Sequence, residues 1–107
     1  MKLKPGVRIY GMRPETLFAA FVADGVWQRV DGGEATMTSG GDGQHMRASK
    51  HYSGCAFDLR VCKDIATTAK AVRELAIALG ADFDVLHESI GTANEHVHVE
   101  FDPKEAL

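Results

Sequence analysis

No apolar run in the chain reaches the roughly 20 residues that a helix needs to span a bilayer, so membrane insertion is not expected. The opening MKLKPGVRIYG lacks the apolar core of a signal peptide, and no export route is evident. An excess of positive charge is also missing. Twelve Lys and Arg stand against fifteen Asp and Glu, a net charge of -3, and the basic residues are scattered. Such a balance gives no long-range attraction to a polyanion, which argues against nucleic acid as a partner. Cysteine is scarce: Cys55 and Cys62, seven residues apart, form no Cys-x-x-Cys pair. A thiolate zinc site needs more sulfur, and without a secretory signal both are expected to be free, buried thiols. The three prolines make no linker, and no repeat or low-complexity tract is found. With 107 residues, 45% of them hydrophobic, residues 1–107 are expected to form one domain with its own core.

What is present reads as two helices among short strands. Residues 7–10 (VRIY) suit a short strand or an extended lead-in. Pro14 and Glu15 suit a first helical turn, where proline fits N1 and an acid meets the positive end of the dipole. Leu17, Phe18, Phe21, Val22 and Trp27 recur at helical spacing, so a helix over about 14–29 is expected to bury that face. Gly25 weakens its last turns. A turn at 31–33 leads into a strand at 35–39. Residues 40–54, GGDGQHMRASKHYSG, are too polar and glycine-rich for a regular element, and a loop that long suggests a function. A strand at 55–61 follows, then a helix capped by Asp64 and Gly80, with Ile65, Ala69, Val72, Leu75, Ala76 and Leu79 as its apolar stripe. Strands at 83–86 and 96–101 flank a polar loop at 89–94. The expected class is α+β: a small, mainly antiparallel sheet packed with helices.

Five histidines occur, at 45, 51, 87, 96 and 98. One imidazole alone is commonly a surface or hydrogen-bonded group. Here, however, two lie in the irregular segment and two alternate on the last strand. Residues two apart on a strand share a face, so His96, His98 and Glu100 point the same way. Zinc takes imidazole nitrogen and carboxylate oxygen, and a catalytic site keeps three protein ligands and one open position. His51, Asp58 and His98 make such a set if the bend over 51–58 faces the last strand. Asp58 lies between Phe57 and Leu59, where a buried carboxylate needs a cation or donors. The alternative is an Asp58 paired with Arg60 or Lys50, or accepting backbone bonds at a strand end.

The pattern SxHxxGxAxDL, carried by Ser49, His51, Gly54, Ala56, Asp58 and Leu59, resembles the first motif of the zinc D,D-carboxypeptidase and dipeptidase family. That family includes vancomycin-resistance D-Ala-D-Ala dipeptidases and phage endopeptidases that cleave the L-alanyl-D-glutamate bond. Its second motif, an acid three residues before the last zinc histidine, is matched by Glu95 to His98 (EHVH). The stretch DGQHMRASKHYSGCAFDL, with DVLHES at 84–89 and HVH at 96–98, is also similar to the metal site of the Hedgehog signalling domain, which shares the fold. Together these likenesses cover residues 36–102.

The resemblance implies a Hedgehog/DD-peptidase-like fold and a zinc ion held by His51, Asp58 and His98. It implies Glu95 as the catalytic base, with Glu88, the acid of the Hedgehog-like arrangement, as the alternative. An ideal strand turns Glu95 away from His98, so a bend at 93–94 is required to bring it inward. His45 and His96 are expected to flank the metal or touch substrate, and Glu100 to orient a ligand or stay exposed. His87 has no assigned role. The family's arginine after the Thr-Ser-Gly strand end is missing: Thr38, Ser39 and Gly40 run into Gly41 and Asp42, leaving Arg47, His45 and His96 as candidates to replace it. The implied activity is zinc-dependent hydrolysis of amide bonds in peptidoglycan stem peptides, of carboxypeptidase or endopeptidase type. The implied setting is a small phage or prophage enzyme, cytoplasmic until released or phage-associated. A catalytically inert zinc module of the same fold, acting in binding or assembly, is the competing reading.

Overall fold

The first helix keeps its expected period and reverses its expected face. The computed structural model describes residues 1–41 and 53–104. In it α1 runs Pro14–Asp31, two residues past the expected end, and Gly32 closes it in the left-handed conformation with its N–H on the Gln28 carbonyl. Gly25 does not end it. The buried side is Thr16, Ala19, Ala20, Ala23, Val26 and Trp27, whereas Phe18 and Phe21 are 66% and 76% exposed and Leu17 is also exposed. Only Trp27 of the expected stripe is fully inside, and Val22 is partly buried. The small side chains explain the choice. Alanines let the helix axis approach the sheet and the second helix closely, and Trp27 then fills the far end and donates its indole N–H to the Arg60 carbonyl at 3.1 Å.

The second helix, α2 (Ile65–Leu79), has its Asp64 cap in place: the carboxylate accepts from the Thr67 N–H at 2.7 Å. Its buried residues are Thr68, Ala71 and Leu75. Val72 and Leu79 pack beside them, while Ile65, Ala69 and Ala76 are exposed. The inward face is thus rotated from the expected stripe.

Five strands are present among the described residues: β1 (Lys2–Leu3), β2 (Thr36–Ser39), β3 (Ala56–Leu59), β4 (Phe83–Glu88) and β5 (His96–Phe101). They form one open sheet in the order β1-β2-β3-β5-β4. All neighbours are antiparallel except β1 and β2. Residues 7–10 form no strand, and the short β1 replaces them at the sheet edge. The class is α+β with a mostly antiparallel sheet.

Both helices lie against one face of that sheet. Met37, Phe57, Leu59, Val97 and Val99 point into the core shared with Ala23, Trp27, Ala71 and Leu75. Burying each large aliphatic or aromatic side chain there stabilises the fold by roughly 1.5–3 kcal/mol. Strand alternation sends the neighbours of these residues to the other face, and among those neighbours are Asp58, His96, His98 and Glu100.

The segment at residues 8–13 fastens the sheet's irregular end. Gly41 N–H bonds the Arg8 carbonyl at 2.9 Å and Arg13 N–H bonds the Gly54 carbonyl at 3.0 Å. The approach requires glycine. A Cβ on Gly40 would stand 2.3 Å from the Arg8 oxygen, and one on Gly54, already at φ +74°, 2.2 Å from the Gly11 oxygen.

Candidate metal centre

The β3–β5 register sets Asp58 directly opposite His98, and the β4–β5 register sets Leu86 opposite His98 and Glu88 opposite His96. Opposed residues project on one face with Cβ atoms about 5 Å apart. Three strands therefore deliver Asp58, His96, His98, Glu100 and Glu88 to the sheet face that the helices do not cover.

His98 stands at the middle. Its Nδ1 lies 3.0 Å from Asp58 Oδ1 and its Nε2 lies 2.8 Å from Glu100 Oε1. Burial works against a charge on this ring. The hydrogen bonds to Asp58 and Glu100, with the charges of Asp58 and Glu88 behind them, outweigh it and lift the imidazole to about 9. The extra proton thus balances a group of carboxylates that would otherwise repel one another.

His96 is oriented by the backbone. Its Nδ1–H donates to the Asn94 carbonyl at 2.7 Å, which turns Nε2 towards Glu88 Oε1 at 3.0 Å and Asp58 Oδ1 at 4.0 Å. Glu88 is nearly half exposed, so a ligand can reach it from solvent.

Glu95 does not join this group. It meets His87 Nε2 at 2.5 Å and accepts the Gly91 N–H at 3.3 Å. His87 is paired across the sheet with Val97, a core residue, so this contact belongs to the helix side. The hydrogen bond from His87 holds the Glu95 carboxyl below its ordinary range. No bend at 93–94 brings it inward. Instead Glu95 latches the β4–β5 loop, where Thr92 also bonds back to the Ser89 carbonyl.

The structure therefore brings together Asp58, His98, His96 and Glu88 and keeps Glu95 apart. His51 and His45, with Asp42 and Arg47, lie outside the described residues. Asp58 and Glu100 each bond one ring nitrogen of His98. Of the two free thiols Cys62 is buried, whereas Cys55 is only partly so, against expectation.

Two donors of the expected zinc set can be tested for fit. Tetrahedral ligands at about 2.0–2.2 Å from zinc sit roughly 3.3 Å apart, and the 3.0 Å between Asp58 Oδ1 and His98 Nδ1 is close to that. A histidine ligand ordinarily gives its other ring N–H to a carboxylate, the part Glu100 takes here. The donors fit.

The sequence patterns give no sign of a second acidic group on the same face. Asp84, Glu100 and Asp102 offer carboxylate oxygens within 4.8 Å of one another, an arrangement that could hold a metal ion. Lys104 Nζ lies 3.2 Å from both Asp84 Oδ1 and Asp102 Oδ2 and supplies positive charge there. Reading the β4–β5 hairpin in register would have found it, since Asp84 is opposite Glu100. No family model matches the chain, and no curated protein or solved structure matches it either.

Proposed function

We propose that the chain is a zinc-dependent peptidase of Hedgehog/DD-peptidase type that hydrolyses amide bonds in peptidoglycan stem peptides. The observation that supports this most is the contact of His98 Nδ1 with Asp58 Oδ1 at 3.0 Å, with His96 and Glu88 beside it. These residues stand in the motif order that the resemblance requires, on the sheet face opposite the helices.

His98 and Asp58, with His51 from the neighbouring segment, would hold the zinc. Glu100 fixes the tautomer and angle of His98. Zinc held there would supply Lewis acidity to a carbonyl oxygen and lower the pKa of a water. Glu88, on the ligand face and open to solvent, is the group placed to take the proton of the attacking water and return it to the departing amine. His96, held by Asn94, is placed to hydrogen-bond a substrate oxygen as charge develops on it.

Glu88→Gln and Glu95→Gln, compared at full zinc occupancy on purified peptidoglycan and defined stem peptides, separate the two acids. Mass spectrometry of new termini should show Glu88→Gln slowed by about 100-fold or more and Glu95→Gln cleaving at a rate near that of the unaltered chain. The reverse order would return the base role to Glu95. Zinc bound stoichiometrically with no cleavage of any substrate would favour the inert module, a reading to which the missing arginine after Gly40 lends weight. No zinc uptake at all would defeat both.

A further inference from the structure

The exposed side of α1 carries its own repeat. Pro14, Phe18, Phe21, Gly25 and Gln28 are spaced four, three, four and three apart, the a and d positions of a heptad. Phe18 and Phe21, at 66% and 76% exposure, are the large residues of that seam, and Leu17 borders it. Gly25 follows on the same stripe, where a Cβ would meet nothing within 4 Å. A monomeric domain seldom presents two adjacent phenylalanines to water along one helix, because each leaves apolar area that a partner would cover.

The charges beside the seam say which partner fits. Glu15 and Arg29 occupy the same flanking position two heptads apart, one near each end of the helix. Laid antiparallel against a second α1, the flanking positions of like kind meet, so each Glu15 faces the Arg29 of the other copy. The same alignment places each Phe21 over the open Gly25 of the other helix, a large knob above a glycine gap. Arg29 pairs with Glu74 at 3.5 Å on an exposed surface, a contact of little strength that the pairing with Glu15 would have to replace.

We infer that α1 is a self-association surface through which two copies of this chain pair as antiparallel helices about a twofold axis. The size of the patch sets its strength. Phe18 and Phe21 each present on the order of 130–150 Å², so the four rings of a pair bury less than the roughly 1,200–2,000 Å² of a standard stable interface. The dimer is therefore a weak one, populated only in concentrated solution. The reading does not depend on the proposed activity.

Sedimentation equilibrium of the full chain from about 10 µM to 1 mM should show a reversible monomer–dimer equilibrium. Phe21→Glu should weaken it by about thirty-fold or more while the far-UV circular dichroism stays unchanged, since that side chain supports no core contact. Glu15→Arg and Arg29→Glu should each weaken it, and the double variant should restore it, because only an antiparallel pairing exchanges the two charges. A monomer across the whole range overturns the inference. So does a dimer that survives Phe21→Glu, which would have to use another surface such as the β1 or β4 sheet edge. Double-swap variants no tighter than the singles would overturn the antiparallel register.

Discussion

Cys62 sits just past β3, buried under the start of α2, with its N–H bonded to the Thr68 hydroxyl at 3.0 Å. Burial pushes its thiol up from 9.0 to about 11, the Asp31 carboxylate adds to that, and Thr68 partly opposes it. The folded state therefore holds a proton that the unfolded chain releases near pH 9. That contribution to stability is complete below pH 9 and is lost as the pH rises towards 11. Denaturant unfolding should show a steeper loss of stability across pH 9–11 for the unaltered chain than for Cys62→Ala. Equal slopes would show that the thiol is not so shielded. At this scale the sequence is informative where chemistry and alternation agree. Asp58 and His98 are legible because a carboxylate between apolar neighbours needs a donor and a His-x-His strand needs a common face. The destination of Glu95 is not legible, since it depends on His87, a residue to which the resemblance gives no role, and on a hairpin register that one strand does not reveal. Glu88 is named through the resemblance alone, because the strand carrying it runs two residues further than its apolar pattern suggests.

For α1 the period is legible and the direction is not. Spacing says which residues share a side, yet this helix offers two contrasting sides, one aromatic and one of alanines with Trp27. Hydrophobicity alone favours the aromatic side, whereas close packing on the sheet and on α2 selects the small one. Ala23, fully buried, should then tolerate no enlargement: Ala23→Leu is expected to destabilise by about 1–3 kcal/mol. Phe18→Ser should change stability by less than about 0.5 kcal/mol in dilute solution. Urea titrations of the two variants decide it, and the opposite ranking would restore the aromatic face to the core. Gly54, before β3, and Gly33, in the turn after α1, divide in the same way. Gly54→Ala, which would force a Cβ against the Gly11 oxygen at positive φ, should lose more than about 2 kcal/mol. Gly33→Ala, at an ordinary φ with open space around it, should lose almost nothing.

For the whole molecule, class and element order are legible because turn residues, caps and alternation mark each boundary. Strand order is another matter: nothing local says that β5 inserts between β3 and β4, which is what brings Asp58 against His98. The site is therefore a product of long-range topology, and metal should couple to it. If zinc binds as proposed, saturation at about 100 times its dissociation constant adds roughly 2.7 kcal/mol to stability, or a rise of about 10–20 °C in melting temperature for a chain of this size. Differential scanning calorimetry should show that rise in the unaltered chain and its absence in Asp58→Ala and His98→Ala. An unmoved transition in all three would leave the carboxylates and imidazoles as a hydrogen-bonded sheet face only.

The backbone staples at Arg8–Gly41 and Arg13–Gly54 carry a further consequence. Each is made by main-chain atoms alone, so changing the side chain of Arg8, or of Arg13 to anything but proline, leaves it standing. Added bulk at Gly40 or Gly54 is what would prise the two runs of backbone apart.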